Sequence, residues 1–142
     1  MKEDINALDD IHKGACMGKD AIDFVIDKVS NKDLEKELRK EYQDYQKIAI
    51  QIEKIYPKYN NGEPHKTGVM TKAMTWSGVE MKTMNDKSNS KITELLLQGV
   101  NMGIIEGRRI LNKKNLNSEV NSLVSTYVTM QEKSVEELKK YL

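Results

Sequence analysis

The chain of 142 residues contains one cysteine, Cys16. An internal disulfide is therefore excluded, and the composition suits a reducing compartment, so the chain is expected in the cytoplasm. Proline is almost as scarce: Pro57 and Pro64 fall close together, and aromatic residues make up only 6%. With eight glycines, that punctuation suits an all-α chain with one major break. Neither sign of charge dominates, since 23 basic and 22 acidic residues leave a net +1. No global field draws the chain to nucleic acid, an anionic membrane or an acidic substrate. There is also no run of about 18 apolar residues of the kind a membrane span needs. The opening MKEDINALDD offers charge where a signal peptide would place an apolar core, so neither membrane insertion nor classical export is expected.

What is present is helical periodicity. Leu8, Ile11, Ala15, Gly18, Ile22, Val25 and Val29 recur at steps of three and four, placing them on one face of a helix over about 4–29. Ser30 stops it and is expected to cap the next, with Asp33 in a capping-box-like position. The second stripe is Leu34, Leu38, Glu41, Tyr45, Ile48, Ile52, Ile55 and Tyr59, ended by Pro57 and the turn Asn60-Asn61-Gly62. So short a connection forces the first two helices antiparallel. A third long helix over about 91–113 carries Ile92, Leu95, Leu96, Gly99, Met102, Gly103, Glu106 and Ile110. The last, capped by Ser118, carries Val120, Leu123, Val124, Tyr127, Met130, Ser134, Leu138 and Tyr141.

Between the pairs, residues 67–84 are predicted as a shorter helix apolar over nearly half its circumference. Met70, Met74, Met81 and Met84 form a strip there, with Trp76 beside it. Thioethers fill irregular gaps and also suit adaptable interfaces. The strip is expected either to cap the bundle or to form a contact between copies; a copper-binding methionine array is a distant third. Each long helix spans roughly 35–39 Å at 1.5 Å per residue. All four therefore fit one single-domain bundle over residues 1–142: two antiparallel hairpins joined by a crossover holding a short extra helix, which is ferritin-type connectivity.

Several short motifs carry a resemblance. The run Leu8-Asp9-Asp10-Ile11-His12-Lys13-Gly14, Gly62-Glu63-Pro64, the Gly68…Lys72-Ala73-Met74…Trp76 segment, the Gly99 region and the Val120…Tyr127 helix resemble the uncharacterised bacterial ferritin-like four-helix-bundle proteins. The resemblance covers nearly the whole chain and implies a ferritin-like bundle without an established activity. Where those relatives tend to carry acids, in the glycine-rich motif of the first helix and after the third helix's glycine, this chain has Ala15-Cys16-Met17 and Val100. Both departures weigh against a metal.

Two stripes contain a carboxylate, Glu41 and Glu106. A di-iron bundle needs a Glu from each of two helices and a Glu-x-x-His pair from each of the others. Glu41 and Asp44 have that spacing with an acid in place of His, and Glu106 lies on the third helix; the first helix supplies no acid in mid-stripe. The expected state of the two glutamates is a core or stripe-edge carboxylate paired with Arg39, Arg108, Arg109 or a tyrosine hydroxyl, because an unpaired buried charge is very costly. The alternative is an iron or manganese site built from Glu41, Asp44 and Glu106. Asp9, His12 and Cys16 share one flank of the first helix and are expected toward solvent, with nothing near them to orient a Cys-His pair. Gly99, Gly103 and Gly107 are read as permitting close helix approach. The chain is thus expected to be a non-enzymatic structural or protein-interaction protein that self-associates, a dimer being favoured, without nucleic acid or membrane.

Overall fold

The computed structural model describes residues 2–64, 85–113 and 115–142. Among them are four long helices and no strand: α1 (Lys2–Val25), α2 (Lys32–Ile55), α3 (Asn89–Leu111) and α4 (Ser118–Leu138). Short 3-10 turns over Ile26–Lys28, Tyr56–Lys58 and Lys139–Tyr141 extend α1, α2 and α4. The predicted crossover helix, with Met70, Met74, Trp76, Met81 and Met84, lies outside the described residues.

Helix ends are set by asparagine more than by serine. Asn31, not Ser30, caps α2, its side chain accepting from the backbone N–H of Asp33 at 2.9 Å and Leu34 at 3.1 Å. Asn117, not Ser118, caps α4 by accepting from Glu119 N–H at 3.0 Å. The Asx side chain one residue after Ser30 in α2, and one before Ser118 in α4, reaches the orphan donors of the first turn. Ser88 caps α3, which starts at Asn89, two residues ahead of the expected 91. Proline has no N–H and cannot continue the helical ladder; α2 tightens into its 3-10 turn at Tyr56, with Pro57 inside that turn.

The core is where the stripes of α1, α2 and α4 placed it. Leu8, Ile11, Leu34, Leu38, Ile52, Val120, Val124 and Leu138 are all buried to within 1%. Each such aliphatic side chain contributes about 1.5–3 kcal/mol on leaving water. On α3 the buried face differs from the predicted stripe. Ile92, Leu96, Val100, Gly107 and Ile110 face inward, while Gly99, Met102 and Glu106 are exposed. Leu95 reaches the core, whereas Gly99, Met102 and Glu106 turn away from it and border the space beside α1. Glu106 is therefore not a core carboxylate.

Side-chain to backbone hydrogen bonds tie the two ends. At one, Asn89 at the start of α3 accepts through Oδ1 from the backbone N–H of Ser30 (3.1 Å) and Asn31 (3.3 Å), and donates to Ser30 Oγ at 3.0 Å. At the other, Asp4 of α1 accepts from Asn117 N–H at 2.7 Å. There too Glu119 meets Lys58 and Tyr59, each at 3.2 Å. α2 and α3 thus start at one end of the bundle, α1 and α4 at the other.

Candidate functional site: a cavity between the hairpins

Within each hairpin the helices pack closely, whereas α1 and α3 face one another across glycines. Gly14 and Gly18 stand on α1, Gly99 and Gly103 on α3. A cavity of about 330 Å³ opens here, within the range of small-molecule sites. Side chains from the far helices fill the places where a Cβ would stand. A Cβ on Gly14 would collide with the Tyr127 hydroxyl, one on Gly18 would lie 2.6 Å from the Tyr45 ring, and one on Gly103 would strike the Gln131 amide. Gly99 alone of these four has nothing within 4 Å of its would-be Cβ. The glycines thus admit two tyrosines and an amide to the floor while leaving space beside Gly99.

That floor is buried and polar. The Tyr45 and Tyr127 rings lie 6.5 Å apart at 57°, and Gln131 Nε2 donates to Tyr45 Oη at 3.4 Å. Ser134 Oγ donates to Glu41 Oε1 at 2.6 Å. Burial, reinforced by the neighbouring Glu37, pushes the Glu41 carboxyl up to about 9 against the opposing Ser134 bond. Glu41 is then a neutral acid at pH 7. Burial likewise pushes Tyr45 up to about 12 and Tyr127 further still. Glu41 Oε2 and Gln131 Oε1 are buried, and besides Ser134 and Tyr45 their side chains hydrogen-bond Glu37 and Tyr127.

The walls are apolar, from Ile22, Leu38, Leu95, Leu96 and Val100 among others. The rim carries Asp10, Lys13, Asp20 and Glu106. Asp10 titrates above the ordinary aspartate value, first because it is partly buried and then because of the Glu106 charge.

The metal candidates divide. Glu41 and Glu106 line the same cavity, one at the floor and one at the rim. Asp44 instead pairs with Lys40 at 3.2 Å, and that pair lies toward solvent. Divalent iron and manganese favour charged oxygen donors, so Glu41 would have to give up its proton to serve as one. Among the described residues no group of three His, Cys, Asp or Glu side chains converges to hold an ion. Of the expected arginine partners, Arg39 pairs with Glu35 and Arg108 with Glu132, and the side chains that meet Glu41 are Ser134 and Glu37.

Asp9 and His12 are buried rather than turned toward solvent, at 8% and 1% exposure. His12 Nε2 donates to Glu53 Oε2 of α2 at 2.8 Å. Cys16 Sγ lies 3.9 Å from His12 Nδ1. The orienting group that appeared to be missing beside the Cys-His pair is thus Glu53, brought in by the antiparallel partner helix. Burial pushes His12 down, but its bonds to Cys16 and Glu53 outweigh this, and its pKa lies above the ordinary value.

Gln131 lay outside the predicted apolar stripe of the last helix. A stripe counted through Met130 passes it by, yet Tyr127, Gln131, Ser134 and Leu138 form the buried row of α4. The signal was the i, i+4 spacing of Gln131 from Tyr127.

No family model matches the chain, and no curated protein matches it. Among solved structures, a chain described as "CopM in the Cu(II)-bound form" superposes with a TM-score of 0.75, covering 97% of this chain and 94% of that one at 11% identity. At that identity the likeness establishes a shared all-helical fold.

Proposed function

We propose that this chain is a non-enzymatic binding protein of ferritin-like connectivity whose cavity between α1 and α3 holds a small, mainly apolar molecule. One observation carries the reading: an apolar-walled space of about 330 Å³ ends on a buried polar floor of Glu41, Tyr45, Tyr127 and Gln131. Acid-base catalysis works best with groups whose pKa lies near the operating pH. The floor offers instead an acid near 9 and a phenol near 12. These groups bind and orient.

The test uses the neutral fluorescent dye N-phenyl-1-naphthylamine. One-to-one binding with enhanced emission is expected, and Gly99→Trp, which places an indole in the open space beside Gly99, should abolish it while leaving helicity intact. Dye that fails to bind, or binds equally to the variant, overturns the reading.

Self-association as a dimer belongs to the same proposal. Met102 and Ile105 on α3 are 44% and 52% exposed, and the methionine strip at 70–84, outside the described residues, is the second candidate contact. Ile105→Lys, and Met74→Lys with Met81→Lys, should each lower the sedimentation mass if these faces join copies. The single cysteine supports a cytoplasmic location.

Iron or manganese binding is the second reading, supported by Glu41 and Glu106 facing one cavity. The solved neighbour is described as Cu(II)-bound. Elemental analysis of protein purified without chelator, repeated on Glu41→Ala and Glu106→Ala, tests it. Stoichiometric metal lost in both variants would favour this reading over the first.

A further inference from the structure

We infer that the cavity grips an amphiphile by both ends: an unbranched apolar chain lies along the seam between α1 and α3 toward Ile22 and Leu95, and a cationic head such as a primary ammonium sits between Asp10 and Glu106. This rests on the reading of the cavity as a ligand site and names the class of ligand it takes.

Register sets the direction of the seam. α1 and α3 begin at opposite ends of the bundle, so the residues of α1 that line the cavity run from Asp10 to Ile22 while those of α3 run back from Glu106 to Leu95. At 1.5 Å per residue each wall is roughly 16–18 Å long. Asp10 and Glu106 therefore face one another at one end, and Ile22, Leu95 and Leu96 close the other with Leu38 and Leu138 of the far helices. A volume of about 330 Å³ drawn out over that length is narrow and suits an extended chain. Between the ends the floor carries no charge, because Glu41 and both tyrosines keep their protons at pH 7.

The acidic end is not compensated. Neither Asp10 nor Glu106 forms an ion pair with a described residue, and the charge of Glu106 acts on Asp10 more strongly than that of Lys13 or of Lys113. Two facing carboxylates, one of them half-buried, repel each other, and a cation between them stabilises both. Among the described residues Lys13 is the only cation lining the cavity, against Asp10, Glu106 and, toward the apolar end, the exposed Asp20. An anionic head meets net repulsion there. Glu106 is exposed, so an ammonium head beside it keeps part of its hydration and escapes the full cost of burying a charge. Charge and apolar surface are thus separated along one cavity in the order an amine with a straight tail presents them.

Three compounds of equal heavy-atom count differ in the charge of the head: octylamine, which is protonated at pH 7, octan-1-ol and heptanoate. In competition with N-phenyl-1-naphthylamine, octylamine should displace the dye at concentrations about fivefold or more below octan-1-ol, with heptanoate the weakest of the three. The advantage of amine over alcohol should shrink to within about twofold in the double variant Asp10→Asn, Glu106→Gln. It should shrink likewise in the native protein as ionic strength rises from about 0.01 M to about 1 M, where the screening length falls from about 30 to about 3 Å. The salt comparison needs no mutation, so a poorly folding variant leaves the test intact. Dye displaced equally by amine and alcohol, or best by heptanoate, overturns the inference while leaving a site for apolar bodies. Dye that never binds overturns the site and the inference together.

Discussion

A Cβ at Gly18 would stand 2.6 Å from the ring of Tyr45, a contact that requires the buried tyrosine to move. Gly99, on the opposite wall of the same cavity, has no neighbour within 4 Å of that position. The two glycines therefore predict opposite signs. Gly99→Ala should gain about 1 kcal/mol from helix propensity alone. Gly18→Ala gains the same term but incurs about 1–3 kcal/mol of overpacking, leaving it less stable than the native chain by up to about 2 kcal/mol. Urea denaturation of the two variants checks both signs, and a Gly18→Ala protein as stable as Gly99→Ala would show that Tyr45 moves freely into the cavity.

The Glu41 carboxyl makes stability fall as pH rises. Its folded pKa, about 9, lies above the model value of 4.5, so between those values the native state holds a proton that the unfolded chain has released. Stability is fully present below about pH 4.5 and is lost progressively toward pH 9. Glu41→Gln keeps an acceptor for Ser134 and cannot ionise. The variant should overtake the native protein as pH rises, with an advantage at pH 8 above about 1.4 kcal/mol, the equivalent of one pKa unit. Thermal or urea melts of both proteins from pH 5 to 9 test this; parallel curves would mean that Glu41 is ionised in the fold.

The pairing of His12 with Glu53 at 2.8 Å predicts the reverse partner effect. A histidine whose folded pKa is raised contributes stability that is complete below its unfolded value near 6.5 and fades as pH climbs through the folded one. Glu53 is 51% exposed, so screening limits the pair. Glu53→Gln should cost up to about 1 kcal/mol at pH 5.5 and only a few tenths at pH 8.5. The His12 ring resonances, titrated by NMR and assigned against His12→Asn, should shift to a lower midpoint in that variant.

The helices were legible in the sequence because apolar spacing is a local property, and most of the stripes of α1, α2 and α4 landed in the core, with Gly18, Ile55, Tyr59, Leu123, Met130 and Tyr141 only half-buried. The inward face of α3 was not. Its predicted row mixed Ile92 and Leu96, which reach the core, with Gly99, Met102 and Glu106, which border the cavity. Small residues and methionine on a helix do not announce which neighbour they face. Glu41 stood out as an acid within an apolar row, but its proton could be assigned only once burial and the proximity of Glu37 and Ser134 were known. His12 was misplaced for a related reason. The group that neutralises the cost of burying it sits 41 residues away on another helix, beyond the reach of spacing along α1. The fold was thus readable one helix at a time, and the candidate site, assembled from side chains of all four, was not.

The lacing of the bundle has a consequence for how anything gets in. Asn89 clasps the Ser30–Asn31 corner at one pole, and Asp4 clasps Asn117 at the other. These clasps hold both poles, so the open side of the cavity is the flank between α1 and α3, where Gly99, Met102 and Glu106 are exposed; the proposed guest would enter there.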